Sequence, residues 1–400
     1  MAKMASEEGA ASRWHIPFTA TRSPAGGDVG TERTMIKTPR QQESDRPFRV
    51  GLAGLGKISH RHLEAIAVSP SNLELIGLCD SDPDRAPASG PLLQTPCFGS
   101  LQSLLAESNL DIISICTPSG LHAQQTIEAA RAGVHVITEK PMATNLTDAR
   151  RMIEECDSAG VRLFVVNQCR FNPIFQRLHR AIREGRFGRI FMSQINVFWS
   201  RPQNYYDADP WRGTIDLDGG ALMNQAIHYV DLLHWLLGPI ARIQAMAGTL
   251  ARKIETEDSA VLNLKLANNA LGSISVTMLA HGQNHETSIT ILGEKGTVRI
   301  GGTSLQEIQA WDFTDHRAYE DECKTLDSEA FSTPVGGHRA VYANVTDVLR
   351  GQCEAATDGR EAYRSLEIVT AALRSARTGN EVELPLLQEK SYTCEGIRPR

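Results

Sequence analysis

The chain has 400 residues, of which 41% are hydrophobic and 22% are charged, and its formal net charge is −6. This length exceeds what a single hydrophobic core usually serves, so we expect two folded domains. The negative charge and the lack of an apolar run near 18 residues argue against nucleic acid and a membrane as partners. The eight cysteines form no CxxC pair, which is typical of a reduced, cytoplasmic protein.

Residues 1–46 are rich in Ala, Gly, Ser, Thr and mixed charge, and they show no sustained hydrophobic periodicity. This composition predicts a flexible N-terminal tail. Acidic residues interrupt the pattern of a transit peptide, and no basic segment precedes an apolar core as in a secretory signal. We predict a second tail at residues 387–400.

From Phe48 onward, short apolar runs alternate with amphipathic stretches. The strand-like runs are FRVGLAGLG, LELIGLCD, DIISICTP, VHVITEKP and RLFVVNQ, and the helical stretches include HAQQTIEAARAG and NLTDARRMIEECDSAG. Apolar strands that alternate with helices predict a parallel sheet covered on both faces. We therefore predict an α/β protein whose residues 47–168 form a Rossmann dinucleotide-binding domain.

The first strand runs into the motif Gly54-x-Gly56-x-x-Ser59, which a helical stretch follows. Gly54 permits a tight turn, and Gly56 permits the close approach of a pyrophosphate to the helix N-terminus. Asp80 ends the second strand, where a carboxylate can bind the ribose hydroxyls and would repel a 2′-phosphate. This favours NAD over NADP, although Arg85 is close enough in sequence to weaken that preference.

Polar residues also follow the later strands at their carboxyl ends, where open α/β sheets bind their ligands. Lys140 is the chemically informative one: it is either a cation beside the nicotinamide or an exposed cation after a strand. The cofactor contacts predicted in this domain are Gly54, Gly56, Lys57, Ile58, Asp80, Thr117, Pro118, His122, Glu139, Lys140, Asn167 and Gln168.

After Gln168 the pattern changes from strand–helix alternation to hairpins. The strand RIFMSQINVFWS is followed by SAVLNLKLANNALGSISVTMLA, which turns at Asn268-Asn269, and by TSITILGEKGTVRI, which turns around Gly293–Gly296. This predicts an α+β domain over residues 169–386, with a large, mostly antiparallel, open sheet.

The segment DGGALMNQAIHYVDLLHWLLG, residues 218–238, is predicted to be an apolar helix with polar residues through its middle. At about 100° per residue, Gly220, Asn224, His228, Asp231 and Trp235 lie within about 80° of one another. Unpartnered polar groups in a closed core would cost roughly 1–3 kcal/mol each, so we expect this stripe to face a ligand. The alternative for His228 is an interior histidine bonded to Asn224 or Asp231.

Other side chains suit a sugar ligand. Tyr205-Tyr206 and Trp211-Arg212 offer aromatic faces and a guanidinium for a carboxylate or phosphate, but these aromatics could equally cap the second sheet. Arg170 either reaches the same site or forms a surface ion pair, and His338 and Tyr342 share a helix face that could equally be structural. No residue cluster has metal-ligand spacing, so no metal is expected. The predicted substrate contacts are Arg170, Tyr206, Trp211, Arg212, Asn224, His228, His338 and Tyr342.

Thr117-Pro118 with His122, followed by Glu139-Lys140-Pro141, resembles the glucose–fructose oxidoreductase/inositol dehydrogenase family, often called Gfo/Idh/MocA. The resemblance covers roughly residues 48–386. It implies that Lys140 is catalytic and binds the reacting hydroxyl, with His228 as its acid–base partner. It also implies that the open sheet of the second domain packs against another subunit in a dimer or tetramer.

Many members of the family carry an Asp four residues before the histidine, where this chain has Asn224. An amide takes no proton at neutral pH, so the sequence indicates that this dyad is lost. The Asn form, within Gly219-Gly220-x-x-x-Asn224-Gln225-x-x-His228, resembles a subgroup that includes UDP-N-acetyl-2-amino-2-deoxyglucuronate 3-dehydrogenases.

These features together predict an NAD-dependent oxidoreductase that oxidises a secondary hydroxyl of a sugar, most sharply a nucleotide-sugar 3-dehydrogenase. Lys140 would stabilise the developing alkoxide, and His228, titrating near neutrality, would take the proton; the reverse division stays open. The alternatives are a cyclitol or free-sugar dehydrogenase and a non-catalytic NAD(P)-binding sensor, which would have no need of an acid–base pair.

Overall fold

The computed structural model describes residues 46–69, 71–85, 94–317 and 336–386. The two predicted tails lie outside these ranges, apart from Arg46. Within the described ranges, no helix has both the length and the apolar character required to span a bilayer.

A six-stranded, entirely parallel sheet forms the N-terminal part of the fold. Its strands are β1 (Phe48–Ala53), β2 (Leu73–Cys79), β3 (Cys97–Phe98), β4 (Ile112–Ile115), β5 (His135–Thr138) and β6 (Leu163–Val165), in the order β3-β2-β1-β4-β5-β6. The connecting helices are α1 (Ser59–Ala67), α2 (Leu101–Glu107), α3 (His122–Arg131) and α4 (Leu146–Ser158). This strand order is that of the dinucleotide-binding fold, which confirms the predicted Rossmann architecture.

A second sheet has eight strands, β7 to β14, in the order β13-β12-β11-β7-β10-β9-β8-β14. Every pair is antiparallel except β7 with β10, which confirms the prediction of a mostly antiparallel sheet. Asn269 takes a φ of 68° in the tight turn between β9 and β10. The strands are β7 (Ile190–Phe198), β8 (Ile240–Gly248), β9 (Ser259–Leu266), β10 (Leu271–Thr277), β11 (Glu286–Gly293), β12 (Gly296–Gly301), β13 (Glu307–Phe313) and β14 (Val382–Glu383).

Helices join the two sheets and cover them. They are α5 (Pro173–Arg183), α6 (Gln203–Asp207), a π-helix (Ala221–Ala226) that continues into α7 (Ile227–Leu237), α8 (Gly336–Leu349) and α9 (Gly359–Thr378). The last two helices return to the N-terminal sheet. Tyr342 of α8 lies in a buried cluster with Val50 and Ile112, and Thr357 Oγ1 donates a hydrogen bond to Val165 O at 2.7 Å. The predicted second domain, 169–386, thus includes segments that complete the core of the first.

Candidate active site

The glycine turn after β1 is shaped for a close ligand. Gly54 has a φ of +92°, and a Cβ there would lie 2.7 Å from the backbone of Cys116 and Thr117, so only glycine fits beneath the end of β4. A Cβ on Gly56 would meet nothing closer than Arg85 Nη1 at 3.6 Å, which leaves the turn open. The first turn of α1 carries no acidic residue, and its N-terminus therefore favours an anion.

Asp80 is fixed beside this turn at the end of β2. Its Oδ2 accepts a hydrogen bond from Leu55 N at 2.7 Å, and its Oδ1 accepts one from Asp82 N at 2.9 Å. Each carboxylate oxygen keeps a further lone pair for a hydroxyl. An open glycine turn, a helix N-terminus and an adjacent carboxylate are together the groups that a dinucleotide requires, so these residues fit NAD. Lys57 is exposed and Ile58 is half-buried, next to the same turn.

His122 ties together two loops that the sequence placed at the cofactor. Its ring is 1% exposed, with Nδ1 2.8 Å from Pro141 O and Nε2 2.8 Å from Thr117 O. Both nitrogens are thus occupied by backbone carbonyls. The structure therefore corrects the prediction that His122 contacts the cofactor, because the histidine instead positions the loops that hold Pro118 and Lys140.

Lys140 follows β5 of the N-terminal sheet and contacts the π-helix of the second domain. Its Nζ donates a hydrogen bond to the main-chain carbonyl of Asn224 at 2.8 Å and to the side-chain Oδ1 of Asn224 at 3.3 Å. In the part of the chain that the structure describes, no carboxylate oxygen lies within 4.0 Å of Nζ, and burial lowers the pKa of Lys140. The end of β5 thereby meets the π-helix, as the predicted pairing of Lys140 with this helix requires.

His228 lies in the same buried surroundings. It is 8% exposed, and within the described residues its Nδ1 has no hydrogen-bond partner. Burial, and then the charge of Lys140, lower the pKa of His228 to about 3. The prediction that this histidine titrates near neutrality is therefore wrong, and it stays neutral at physiological pH with a free lone pair.

The predicted polar stripe divides into two groups. Residues 221–226 form a π-helix, so the rotation of 100° per residue does not hold through Asn224. Asn224 and His228 belong with Lys140, whereas Asp231 is fully buried and accepts hydrogen bonds from Arg170 Nε at 2.8 Å and Nη2 at 2.7 Å. The side chain of Trp235 stacks against His179, away from the lysine.

Arg170 and Asn167 both donate hydrogen bonds to the buried carboxylate of Asp231. Arg170 is 2% exposed and also donates to Ala356 O at 3.0 Å, and Asn167 Nδ2 donates to Asp231 Oδ1 at 3.1 Å. The structure thus corrects two predictions: Arg170 does not reach a substrate and Asn167 is engaged in the core. Gln168 differs, because its Oε1 is buried and has no partner among the described residues, so it remains a predicted ligand contact.

Asp218 is a carboxylate that the sequence analysis overlooked. It is 5% exposed, its Oδ2 accepts a hydrogen bond from Gly213 N at 2.7 Å, and its Oδ1 accepts one from Asn224 Nδ2. Burial raises the pKa of Asp218, against the hydrogen bonds from Asn224 and Gly213 that lower it. The Asn224 amide therefore bridges Asp218 and Lys140. Asp218, from the loop before the helix, thus adds a carboxylate that contacts Asn224 and not His228 among its hydrogen-bond partners.

Glu139 anchors a buried network beneath Lys140. Its Oε1 lies 3.1 Å from His62 Nε2 and 3.2 Å from His338 Nε2, and its Oε2 accepts a hydrogen bond from Lys140 N at 3.1 Å. Tyr342 OH lies 2.9 Å from His62 Nδ1. Burial alone would raise the pKa of Glu139, but hydrogen bonds from the two histidines hold it well below its usual range.

This network corrects three predictions. His338 and Tyr342 are 2% and 1% exposed, so they support Glu139 and do not line a substrate site, and Glu139 faces them instead of the cofactor. His62, Glu139 and His338 also form a set of potential metal ligands, whose atoms lie within 4.8 Å of one another. Sequence spacing gave no sign of this set. Hydrogen bonds between its members already satisfy the carboxylate.

The aromatic loop is arranged differently from the prediction. Tyr206 is 8% exposed and packs over Gly213, and its contact with the substrate stays a prediction. Tyr205 is half-buried, and its hydroxyl accepts hydrogen bonds from Arg212 Nη1 and from Gln225 Nε2. Arg212 is paired with Asp209 at 2.8 Å and its guanidinium lies 4.6 Å from the centre of the half-buried Trp211 ring.

The loop that carries these residues touches the first domain. Gly120 N donates to Leu217 O at 3.2 Å, and a Cβ on Gly120 would lie 2.1 Å from Asp216 O. At its other end the loop brings Asp209 Oδ1 to 4.0 Å from Arg85 Nη2, beside the glycine turn. The aromatic loop therefore contacts the first domain at Gly120 and at Arg85.

Comparison with known proteins agrees with this geometry. A family model described as "Oxidoreductase family, NAD-binding Rossmann fold" matches residues 48–167, and one described as "Oxidoreductase family, C-terminal alpha/beta domain" matches residues 179–384. The chain is similar to the WlbA dehydrogenase from Bordetella pertussis, solved in complex with NADH and UDP-GlcNAcA, at 50% identity and a TM-score of 0.83, covering 86% of this chain and 99% of that one.

Two further relatives are informative. The WlbA dehydrogenase from Chromobacterium violaceum, also solved with NADH and UDP-GlcNAcA, is 47% identical with a TM-score of 0.83, over 88% of this chain and 100% of that one. D-apiose dehydrogenase from Paraburkholderia graminis is 29% identical over 86% of this chain and 92% of the relative.

Proposed function

We propose that this chain, which belongs to the Gfo/Idh/MocA oxidoreductase family, is an NAD-dependent dehydrogenase. In this proposal its substrate is a nucleotide-linked sugar acid, and it oxidises a secondary hydroxyl of that sugar, most specifically the one at C3. The observation that carries the proposal is the placement of Lys140 beside the neutral, buried His228 at the carboxyl edge of the parallel sheet. Similarity to two dehydrogenases solved with NADH and UDP-GlcNAcA supports the choice of cofactor and substrate.

The cofactor would be held by Gly54, Gly56 and Asp80. Bound NAD supplies a hydride acceptor. The main chain at Gly56 and the N-terminus of α1 favour the pyrophosphate, and Asp80 accepts hydrogen bonds from ribose hydroxyls. Lys57, Ile58, Thr117, Pro118 and Gln168 remain predicted contacts of the same site.

Lys140 and His228 have different roles in the oxidation of the substrate hydroxyl. The ammonium of Lys140 donates to the hydroxyl oxygen and stabilises the negative charge that develops there. His228 is neutral and has a ring nitrogen without a hydrogen-bond partner among the described residues, so it offers a lone pair to the hydroxyl proton. The hydrogen bond from Asn224 to Asp218 turns the amide oxygen of Asn224 toward Lys140, which fixes the ammonium in place.

Replacement of Lys140 tests this assignment. We expect Lys140→Met to reduce NADH formation by at least about 10³-fold, because the stabilising charge is lost, while the Kd for NAD changes by less than about threefold. Hydride transfer is followed at 340 nm and NAD binding by calorimetry. Lys295→Met, an exposed lysine in the turn between β11 and β12, is the matched control and should behave as wild type. Loss of NAD binding in Lys140→Met would contradict the role assigned to this lysine.

A substrate panel separates the remaining alternatives. We expect NAD reduction with UDP-linked sugar acids and little with free sugars or inositols. Turnover of inositols or free sugars in preference would instead establish the cyclitol or free-sugar dehydrogenase. If no alcohol in the panel reduces NAD although the protein still binds NAD, the result would favour the non-catalytic NAD(P)-binding sensor.

We further propose that the protein works in the cytoplasm as a homo-oligomer, assembled through the open face of the second sheet. Apolar side chains are exposed on its strands, with Met246 77%, Leu271 53% and Val261 51% accessible. Exposed apolar groups on a sheet face are typical of interaction surfaces.

A further inference from the structure

Arg201 follows β7 and is half-buried, yet its partners are all neutral. Its Nη1 donates to Ser200 O at 2.9 Å and to Asn284 Oδ1 at 3.2 Å, and its Nη2 donates to Gln225 Oε1 at 3.3 Å. Among the residues that the structure describes, no carboxylate oxygen lies within 4.0 Å of this guanidinium. A half-buried positive charge without a counterion is unfavourable unless a ligand supplies the negative charge.

Other arginines around the site are compensated. Arg212 is paired with Asp209 at 2.8 Å, and Arg170 is paired with Asp231 at 2.7 Å. Arg252 lies beside Arg201, because its Nε donates to Arg201 O at 2.7 Å, while its main-chain N donates to Asp258 Oδ2 at 3.0 Å. Arg201 thus differs from Arg212 and Arg170 in having no acidic partner for its guanidinium among the described residues, which favours an anionic ligand.

Aromatic rings hold the guanidinium of Arg201 in place. Its centre lies 4.9 Å from the Trp199 ring centroid and 5.3 Å from the Tyr205 ring centroid. Such contacts fix the orientation of the planar fork, which matches a carboxylate or a phosphate with two parallel hydrogen bonds.

The position of Arg201 relative to Lys140 indicates where such an anion would lie. Gln225, which accepts from Arg201, directly follows Asn224, whose carbonyl holds Lys140 Nζ. Burial lowers the pKa of Lys140, Glu139 and Asp218 raise it, and the charge of Arg201 adds a smaller lowering. An anion bound by Arg201 would therefore lie near the sugar ring that Lys140 engages, and a uronic acid carries a carboxylate on that ring.

We propose that Arg201 binds the carboxylate of a sugar-acid substrate and that this contact makes the enzyme select uronates over neutral sugars. The proposal rests on the function proposed above and names the residue that sets its substrate class.

The test compares two substrates that differ at one group. UDP-GlcNAcA carries a carboxylate at C6, and UDP-GlcNAc carries a neutral hydroxymethyl group there. We expect Arg201→Met to lower kcat/KM for UDP-GlcNAcA by about 100-fold and to change kcat/KM for UDP-GlcNAc by less than about threefold. Arg201→Lys, which keeps the charge but loses the fork, should lie between wild type and Arg201→Met. Arg131→Met makes the same change in an exposed ion pair with Glu155 and should leave both values unchanged.

A binding measurement separates this proposal from the proposed function. Calorimetry with UDP-GlcNAcA, UDP-GlcNAc and UDP, in the Lys140→Met background with NAD present, reports on Arg201 even where turnover is absent. A loss confined to UDP-GlcNAcA on addition of Arg201→Met supports the carboxylate contact. An equal loss for all three ligands assigns Arg201 to the pyrophosphate, and the absence of any difference, or of any binding, also overturns the proposal. Failure of wild type to reduce NAD with either substrate would count against the dehydrogenase function alone.

Discussion

Lys140 and His228 share one buried site, and burial acts on both in the same direction. It lowers the pKa of the lysine and, together with the charge of that lysine, lowers the pKa of the histidine to about 3. A neutral imidazole beside an ammonium is the protonation state that alcohol oxidation needs, since one group must accept a proton while the other stabilises an anion.

The pH dependence of kcat/KM follows from these shifts. His228 is a competent base only above its own pKa, so activity is lost in acid only as the pH falls toward about 3. The Lys140 ammonium is lost as the pH rises through a pKa below the usual 10.5, so we expect a plateau across neutrality and an early alkaline decline. Initial rates at saturating NAD between about pH 5 and 10 measure this. An acid limb near pH 6.5 that disappears in His228→Asn would contradict it.

The π-helix and its N-terminus are the element on which the site depends. Ala221 N donates to Glu257 O at 3.2 Å, and Leu222 N donates to Glu257 Oε1 at 2.8 Å, so this residue caps the helix. A side chain on Gly220 would overlap the Glu257 carboxylate, which explains the glycine there. Burial, with a contribution from the nearby Asp218 and Asp258, raises the pKa of Glu257 to about 7.

Glu257→Gln tests this cap. Between about pH 4.5 and 7 the native state binds more protons than the unfolded state, so the free energy of unfolding contributed by this group falls as the pH rises through that window. We expect wild type to lose up to about 2–3 kcal/mol from this source, and Glu257→Gln to show a flatter dependence. Urea unfolding at pH 5, 6, 7 and 8 measures both, with the exposed Glu74→Gln as control. The same pH slope in the variant and in wild type would show that Glu257 is not the source.

The regular elements could be predicted because their signals are local. Strands such as β4 are buried along their whole length, which imposes a continuous apolar run, and the glycine turn requires its glycines for steric reasons. The two-residue β3 is too short to show a pattern. A π-turn has no periodic signature over six residues, so the position of Asn224 relative to Asp231 could not be foreseen.

The errors within the site share a physical cause. The contact between Asp218 and Asn224 depends on the conformation of a loop, and the Glu139 network joins residues separated by up to 280 positions in the sequence. The pairing of charged side chains also depends on contacts between distant residues. Arg170, Arg212 and Arg201 resemble one another in the sequence, and only the structure shows that the first two have acidic partners.

The exposed apolar face of the second sheet predicts that whole chains assemble into an oligomer. Val261 and Met246 are directly opposite each other on β9 and β8, and both are exposed in a single chain. We expect Val261→Asp to shift the protein to a smaller species in light scattering coupled to size-exclusion chromatography, because the proposed interface would bury a charge. Val68→Asp, at an apolar residue of the first domain that is 49% exposed, should leave the mass unchanged. A monomeric wild type would contradict the proposal.

The return of α8 and α9 to the first sheet has a consequence for biosynthesis. Tyr342 packs in the core around Val50 and lies 280 positions beyond its partner His62 in the sequence. Glu139 likewise lacks its partner His338 until that residue has been synthesised. Domains usually fold in order from the N-terminus as they leave the ribosome. Here the nucleotide-binding half exposes an unfinished core until nearly the whole polypeptide has been synthesised. That half is therefore not a separable module, and a fragment that ends after β6 should be unable to fold alone.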